Sequence, residues 1–416
     1  MKKRVFTLLL CLVLLFGAIG CNDTTVVPPD KTDHNTLATD TTESPIPPVT
    51  EPTPPKPKQT KISFVAAGDN IIHEAVFTDA MARASVLVST GTYAKKYEFE
   101  SMYEGIADII KNADISFINQ EAPIGGDALK VSGYPNFNSP EDAGDALISL
   151  GFDVINIANN HMLDKESIGL SNTIDFFSKK DVLLIGGYKK SDYDNLRIIE
   201  RDGIKIAFLS YTTIMNYDAN GKIRAVTPES NLIIPYANEA DITRQMKLAK
   251  ESDADLVFVS MHWGTESTFT VDPKQKQLAK LLADLGADVV IGHHSHTLQS
   301  VEWVQGINGN KTLVAYSLGN LISTMHPNAN MVGGLLTFDI LKKEDGSITI
   351  EAPLLIPTLT FYSMKRDGLQ IYKLEDVTND IVNSHGSQLK GAFTLSTLKK
   401  YVTDSVSSEF LPNFIK

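Results

Sequence analysis

Cysteine is nearly absent from this 416-residue sequence. The two cysteines are Cys11 and Cys21, and Cys11 lies inside an apolar run near the N-terminus. A chain with so few thiols cannot build a disulfide framework into its mature part, and it cannot form a thiolate-rich metal site. Its stability therefore has to come from core packing, with or without a bound metal.

An excess of positive charge is also lacking. The chain has 38 Lys and Arg against 50 Asp and Glu, which gives a formal net charge of −12. This balance repels phosphate backbones and excludes nucleic acid as an expected partner. A bound cation can still make a positive pocket in an acidic protein, so an anionic substrate remains compatible with the sequence.

Long apolar runs are limited to one at the N-terminus. About 15 apolar residues, Val5 to Ile19, follow the basic start Met1–Arg4, whereas a membrane-spanning helix needs about 20. This pattern predicts a signal peptide over residues 1–20. The following stretch, Ala18 to Cys21, resembles a bacterial lipobox, which implies acylation of Cys21 and an extracytoplasmic lipoprotein anchored to the cell membrane.

Aromatic residues are missing from residues 22–60, where nine of the 19 prolines fall. Such a segment buries too little apolar surface to fold by itself and favours extended conformations. We therefore expect a disordered linker, or stalk, over residues 21–60.

After residue 61 the pattern changes to short β-branched runs that alternate with amphipathic stretches, which is typical of an α/β fold. The predicted strands are Ile62–Ala67, Ile115–Asn119, Val154–Ala158, Val182–Ile185, Ile204–Ser210, Leu256–Met261, Val289–Gly292 and Leu313–Ser317. The predicted helices are Met102–Lys111, Ser167–Lys179, Ala240–Glu251 and Lys274–Leu285.

The C-terminal part, residues 326–416, reads differently. Three strands without helices between them are predicted at Leu335–Leu341, Ile348–Leu354 and Thr358–Ser363, with a hairpin turn at 344–346. We expect them to complete a second sheet of the sandwich. The tail from Leu389 onward looks helical and peripheral.

Acids, amides and histidines follow directly on five of the predicted strands. In α/β folds, ligand sites lie at these carboxyl ends. Carboxylate, amide and imidazole groups together are typical ligands of divalent metals such as Mn, Fe or Zn. In an extended His294-x-His296 segment, both rings would point the same way. The residues in question are Asp69, Glu121, Asn159, Asn160, His161, His262, His293, His294 and His296.

Seven motifs occur in an order that resembles the CapA/PgsA family of capsule-synthesis, poly-γ-glutamate-associated proteins, whose domain is related to calcineurin-like metallophosphoesterases. They are Gly68-Asp69, Asn119-Gln120-Glu121-x-Pro123, Tyr134-Pro135-x-Phe137-x-x-Pro140, Ala158-Asn159-Asn160-His161-x-x-Asp164, His262-Trp263-Gly264-x-Glu266, Gly292-His293-His294-Ser295-His296 and Ser317-Leu318-Gly319-Asn320. The resemblance covers about Ile62 to Ile322, and the predicted metallophosphatase-type domain is residues 61–325.

The resemblance implies a four-layer αββα sandwich of the metallo-dependent phosphatase type, preceded by the disordered stalk. It implies one or two divalent ions and a general acid, His161. The implied metal ligands are Asp69, Glu121, Asn160, His262, His294 and His296. Further candidates around the metal are His73, Asn159, Glu266, His293 and Asn320.

Two positions depart from the phosphoesterase pattern. That pattern has a histidine where this chain has Ile71, and an aspartate where it has Glu121. His73 would replace the missing histidine if the turn after Asp69 folds back; otherwise it is a surface histidine that opens a helix.

Other motif residues have plainer interpretations. We expect Asp164 to cap the helix that begins near Lys165. Trp263 is either a core residue or a stacking platform at the mouth of the site. Glu266 and Asn320 fit partners that fix imidazole tautomers, and His293 faces either toward the metal or away from it.

The first functional hypothesis is a lipid-anchored, extracytoplasmic protein of capsule or poly-γ-glutamate synthesis or export, with a hydrolase-type metal site. Its expected partners are the membrane, an anionic cell-surface polymer and a membrane-bound polymer ligase or exporter. One alternative is a stand-alone secreted metal-dependent phosphoesterase or amide hydrolase. Another is a non-catalytic polymer-binding module, which the departures at Ile71 and Glu121 favour.

Overall fold

Two β-sheets packed face to face form the centre of the molecule. The computed structural model of the protein describes residues 58–416; the predicted signal peptide, the acylated Cys21 and nearly all of the stalk lie outside the described residues. The strands within this range are β1 Thr60–Ile71, β2 Ile115–Glu121, β3 Val154–Asn156, β4 Leu183–Ile185, β5 Tyr188–Lys189, β6 Arg197–Arg201, β7 Ile204–Thr212, β8 Leu232–Ile233, β9 Leu256–His262, β10 Val289–His293, β11 Val301–Gln305, β12 Lys311–Ala315, β13 Asn320–Ile322, β14 Val332–Lys342, β15 Ile348–Phe361 and β16 Gln370–Lys373.

Helices cover the outer faces of the sheets. Those found in residues 58–416 are α1 Glu74–Ser89, α2 Glu104–Asn112, α3 Glu141–Leu150, α4 Glu166–Phe177, α5 Glu239–Glu251, α6 Pro273–Asp284, α7 Asn379–Ser384 and α8 Leu395–Ser405. The start of α6 shows how local sequence sets a boundary. Asp272 and Gln275 form a reciprocal capping box around Pro273, which satisfies backbone N–H groups that the first turn leaves free.

The first sheet has the order β16-β15-β14-β1-β2-β3-β4, with β13 paired to β1. Strands β1 to β4 are parallel and adjacent in chain order, so right-handed crossovers place α2, α3 and α4 on one face. The second sheet has the order β11-β12-β10-β9-β7-β6, and α5 and α6 pack on its outer face. The four-layer αββα arrangement is therefore confirmed.

Aromatic side chains fill the space between the sheets. The ring of Phe64 on β1 lies 4.8 Å from that of Phe338 on β14 and 5.1 Å from that of Phe258 on β9. Phe208 on β7 lies 5.6 Å from Phe258. Such offset and edge-to-face contacts add to the free energy of burying the rings and hold the two sheets in one relative position.

The C-terminal strands correct two predictions. Strands β14, β15 and β16 do not complete a second sheet, because β14 pairs with β1 and extends the first one. The two runs predicted at Ile348–Leu354 and Thr358–Ser363 form one 14-residue strand, β15. Pro357 does not interrupt this strand. The hairpin turn is present, with Lys342 opposite Ile348, and the helical tail packs Leu398 and Val402 into the main core.

A buried histidine far from the predicted metal residues gives a pH-dependent stability. His385 packs against Phe393, its Nε2 donates to the carbonyl of Thr360 and its Nδ1 accepts from the N–H of Ser387. Burial lowers the pKa of His385 to about 4, whereas an unfolded histidine titrates near 6.5. The unfolded chain therefore binds this proton first, and stability falls as the pH drops from about 6.5 toward 4.

We expect His385 to contribute a loss of about 2 kcal/mol in the free energy of unfolding between pH 7 and pH 5. Urea unfolding at both pH values, for wild type and His385→Gln, measures this contribution as the difference between their pH dependences. Equal pH dependence in the two proteins would show that His385 is not the titrating group.

Candidate metal centre

The strand ends meet at one edge of the sandwich. Asp69 lies near the end of β1, Glu121 ends β2, His262 ends β9 and His293 ends β10. All four strands run parallel to a neighbour within their sheets, so their carboxyl ends point to the same side. The two sheets face each other, and this geometry brings together residues separated by more than 200 positions in the chain.

Gly68 lets β1 approach the turn that contains Gly319. A Cβ atom at position 68 would lie 2.0 Å from the carbonyl oxygen of Gly319, a distance no side chain can occupy. At this close approach the N–H of Asp69 donates to the same oxygen at 2.9 Å. The Gly-Asp motif therefore fixes the carboxylate of Asp69 against a second loop of the site.

A chain of buried polar groups orients the Asp69 carboxylate. Asn119 Nδ2 donates to Asp69 Oδ1 at 2.8 Å, Asn156 Nδ2 donates to Asn119 Oδ1 at 2.8 Å, and the Ser210 hydroxyl donates to Asn156 Oδ1. Burial alone would raise the pKa of Asp69, but the nearby rings of His293, 3.2 Å away, and His296, 3.0 Å away, outweigh it and hold the pKa well below its usual value. Asp69 is therefore a fixed carboxylate.

Glu121 is the carboxylate that lacks hydrogen-bond partners. It is fully buried, and neither side-chain oxygen has a partner among the described residues. Burial, reinforced by the charge of Asp69, raises the pKa of Glu121 well above its usual value. Ligand atoms of Glu121, His294 and His296 lie within 4.8 Å of one another. Buried groups left unpaired in this way are costly, and a cation between them would satisfy them.

His294 and His296, which follow β10, do not lie on an extended backbone, contrary to the prediction. Strand β10 ends at His293, and His294 and His296 have φ values of 94° and 57°. Their ring centroids nevertheless lie 5.9 Å apart, so it is the turn that brings them to one place. Left-handed backbone at non-glycine residues costs about 1–3 kcal/mol each and is concentrated at functional sites.

The imidazoles differ in charge. Burial and the nearby His296 lower the pKa of His294 to about 3, so its ring is neutral and has a free lone pair at pH 7. Burial also lowers the pKa of His296, but the charge of Glu121 and the hydrogen bond to Asp69 exceed that effect and raise the pKa to about 9. A divalent ion replaces this proton when histidines between carboxylates become ligands.

His262 and Asn160 lie next to the Glu121, His294 and His296 cluster. His262 Nε2 lies 2.9 Å from Asn160 Oδ1, and its Nδ1 has no partner among the described residues. The ring of His262 is 4.7 Å from that of His294. Burial, with the charge of His294 next, holds the pKa of His262 well below its usual value. Asn160 Nδ2 in turn donates to Asn216 Oδ1 at 2.9 Å.

His161 is held by Asp164, which the sequence had predicted to be a helix cap. Asp164 does not cap α4, whose N-cap is Lys165 without a side-chain hydrogen bond. Instead Asp164 Oδ2 lies 2.6 Å from His161 Nδ1 and accepts the N–H of Phe137. This pairing places the Nδ1 hydrogen toward the carboxylate, and leaves Nε2 for the cleft that His161 lines.

Asn216 is a site residue that the sequence analysis missed. Its side chain bonds Asn160 and lies 3.0 Å from His161 Nδ1. It comes from the irregular segment between β7 and β8, which carries no periodic signal and no motif of the kind found at the strand ends. Neither spacing nor residue type marked it.

The remaining candidate residues differ in the groups that they contact. His73 is the N-cap of α1, and its Nδ1 accepts the N–H of Thr324 at 3.3 Å; it opens a helix, as one of the two interpretations held. Asn320 Oδ1 lies 3.0 Å from His296 Nδ1. His293 faces Asp69, with Nδ1 3.2 Å from Oδ1.

Three further motif residues lie outside the cluster. Asn159 Oδ1 accepts the N–H of His161 and so shapes the loop. Trp263 is a core residue, fully buried with its Nε1 donating to the carbonyl of Tyr316. Glu266 is exposed and lines the cleft beside Asn160.

Comparison with known proteins agrees with the motif order. The family model described as "Bacterial capsule synthesis protein PGA_cap" matches residues 63–325. The chain is 31% identical over 233 residues to "Capsule biosynthesis protein CapA" of Bacillus anthracis, covering 55% of this chain and 54% of that one. It is 27% identical over 304 residues to "PGA biosynthesis protein CapA" of Bacillus subtilis, covering 71% and 77%.

Solved structures show weaker likeness. A Haemophilus influenzae NAD nucleotidase gives a TM-score of 0.41 at 12% identity, over 86% of this chain and 65% of that one. A Mycoplasma pneumoniae phosphatase gives 0.40 at 12% identity, over 72% and 95%. Values of this size say nothing about activity. The family match spans more than half of the chain and includes every strand end of the cluster, and this chain belongs to the family of bacterial capsule synthesis proteins PGA_cap.

Proposed function

We propose that this protein is a hydrolase-type, metal-dependent component of cell-surface polymer synthesis or export, held outside the membrane by a lipid on Cys21. The observation that carries the proposal is the fully buried Glu121, whose oxygens have no hydrogen-bond partner among the described residues and lie beside His294 and His296. A site built only to stabilise the fold would leave no buried carboxylate unpaired.

The donor set fits a divalent cation. The proposed ligands are Asp69, Glu121, Asn160, His262, His294 and His296, which supply oxygen and nitrogen and no sulfur. Such a set suits Mn, Fe or Zn, as one or two ions. When bound, the metal would act as a Lewis acid toward a phosphoryl or carbonyl group.

The protein's own residues would supply orientation and a proton. Asp69 is fixed by Asn119, and Asn320 bonds the ring of His296, so both hold the histidine cluster in place. His161, oriented by Asp164, would donate its proton to a leaving oxygen or nitrogen through Nε2. The buried Phe137 packs edge-on against His161 at 4.8 Å and limits its movement.

The biological setting of the proposal comes from family membership and the N-terminal sequence. Relatives carry names of capsule and PGA biosynthesis, and the lipobox-like stretch before Cys21 favours a membrane lipoprotein. We propose an anionic surface polymer as the ligand, with a membrane-bound ligase or exporter as partner. A stand-alone secreted phosphoesterase or amide hydrolase would use the same residues.

A non-catalytic polymer-binding module is the second candidate, and Ile71 favours it. Ile71 is buried against Ala122 and Phe137, where the phosphoesterase pattern has a histidine. Its side chain offers no ligand atom, so one metal position lacks a donor.

Metal content tests the main proposal. We expect the purified protein to hold about one or two equivalents of Mn, Fe or Zn by inductively coupled plasma mass spectrometry. The double variant His294→Ala/His296→Ala should retain less than about a tenth, because it removes two of the three side chains in the Glu121, His294 and His296 cluster. His385→Gln, which changes a histidine outside the cluster, serves as the control.

Absence of metal from wild type after reconstitution with each ion would contradict the hydrolase proposal and leave the polymer-binding module. Equal metal content in wild type and the double variant would place the metal elsewhere.

A further inference from the structure

Two cavities open on either side of Tyr134, next to the candidate metal centre. The first, of about 460 Å³, is lined by Asn160 and His161 together with Arg224. The second, of about 580 Å³, is lined by His73, Lys365 and Arg366. Tyr134 belongs to the lining of both and is 78% exposed. The two cavities are therefore neighbours, and His161 lines the first of them.

Arginines elsewhere in residues 58–416 are neutralised. Four of the six in this range form salt bridges with aspartates at 2.9 Å or less, and they are Arg83, Arg197, Arg201 and Arg244. Arg224 and Arg366 have no carboxylate within 4.0 Å among the described residues. In a protein with a net charge of −12, the two guanidinium groups without an ion pair line these two neighbouring cavities.

Neutral groups hold Arg224 in place. Its Nη1 donates to the carbonyl of Leu163 at 3.0 Å, its Nε donates to the carbonyl of Tyr217 at 3.3 Å, and its Nη2 donates to Asn136 Oδ1. A guanidinium group has five N–H donors in a fixed plane. The protein uses three of them to fix the side chain, and the positive charge and remaining donors stay available to a ligand.

Arg366 is placed in a similar way on the other side. Its Nη2 donates to the carbonyl of Thr324, whose own N–H donates to His73 at 3.3 Å. Its Nε is buried and has no partner among the described residues. The guanidinium group lies 5.7 Å from the ring centroid of Tyr362. Arg366 is therefore fixed in the wall of the second cavity, beside His73.

We propose that Arg224 and Arg366 form two oxyanion subsites, one in each cavity, for a chain substrate that bears carboxylate or phosphate groups at regular intervals. This inference rests on the proposed function and adds the two residues that hold the anionic groups of the substrate. Planar guanidinium groups pair with either oxyanion through two N–H groups. Acidic residues also line both cavities, Asp218 and Glu266 in the first and Glu74, Asp79 and Asp367 in the second. Each anionic group would therefore be placed by its arginine and not by a generally positive wall.

The experiment measures binding of a fluorescein-labelled γ-linked penta-glutamate to the full-length protein by anisotropy, without added metal, with inorganic tripolyphosphate as a competitor. We expect Arg224→Gln and Arg366→Gln each to weaken binding about tenfold, because each removes a charge-assisted pair. Both variants should also show a weaker dependence of Kd on salt. Arg224→Lys and Arg366→Lys should recover part of the affinity, since they keep the charge.

Arg201→Gln is the matched control. Unlike Arg224 and Arg366, Arg201 is ion-paired: it contacts Asp153 and the carbonyl of Asp114 at the opposite ends of β2 and β3. We expect wild-type binding from this variant. If tripolyphosphate competes at concentrations similar to those of the glutamate chain, a shared oxyanion site is supported. If one of the two anions binds more tightly, the site prefers carboxylate or phosphate accordingly.

Wild-type affinity in both glutamine variants would overturn the inference, as would failure of the wild type to bind either anion. Equal weakening in the lysine and glutamine variants, with a lowered Tm, would show that Arg224 only ties loops together. Metal content and hydrolysis of bis(p-nitrophenyl) phosphate, measured on the same samples, test the proposed function separately. A protein that holds metal but ignores polyanions would disprove only the subsites.

Discussion

Replacing His161 by alanine should lower kcat by about 10²- to 10⁴-fold, the usual range for loss of a general acid. Metal content and Tm should stay close to wild type, because His161 is at the cleft and outside the Glu121, His294 and His296 cluster. The loss should be larger for a phenyl than for a p-nitrophenyl phosphodiester, since the poorer leaving group needs the proton more. Steady-state kinetics on both substrates measures the difference.

Asp164→Asn is the matched variant for this prediction. It keeps a hydrogen-bond acceptor near His161 Nδ1 but removes the negative charge that now lies 2.6 Å away. We expect a smaller loss than for His161→Ala, in the same leaving-group order. Full activity in His161→Ala with metal retained would remove the general-acid role, and equal losses for both leaving groups would assign His161 to substrate positioning.

Gly68→Ala should unfold or strongly destabilise the protein, by about 3 kcal/mol or more. The new Cβ would lie 2.0 Å from the carbonyl oxygen of Gly319, and both atoms belong to backbone, so no side chain can move aside. Relief of the clash would separate β1 from the turn at Gly319 that precedes β13, and would move Asp69 away from His296. Urea unfolding and metal content together measure the two effects.

Gly346→Asn is the control for the glycine substitution. Gly346 lies in the turn between β14 and β15 with φ 83° and open space around it, and asparagine tolerates this conformation. We expect a change below about 1 kcal/mol. A Gly68→Ala protein as stable as wild type, with normal metal content, would mean that the close approach at Gly319 does not set the site.

Strong periodic patterns predicted the framework well. The runs at Ile204–Ser210 and Leu256–Met261 became β7 and β9 with nearly the same limits, because each is a short, mostly apolar run of the kind that is buried in a central strand. Sheet membership was harder. The pairing of β14 with β1 joins residues more than 250 positions apart, and no local pattern encodes that partner.

Some site residues could be predicted from the sequence and others could not. Asp69, Glu121 and His262 were predictable because they follow strands, and parallel strands end at a common edge. The turn at His294 and His296, the partnership of Asp164 with His161, and the contribution of Asn216 were not. Each depends on backbone that leaves regular structure, where residue type does not fix side-chain direction.

The amino-acid sequence by itself determined the α/β class, the types of residue at the strand ends and the absence of thiolate chemistry. Periodicity and composition are local properties that burial and hydrogen bonding act on directly. Only the tertiary structure decided that Glu121 lies without a hydrogen-bond partner beside His294 and His296, and that Arg224 and Arg366 line neighbouring cavities without an ion pair. Pairing and its absence depend on which distant segments meet, and that is settled by the packing of the whole sandwich.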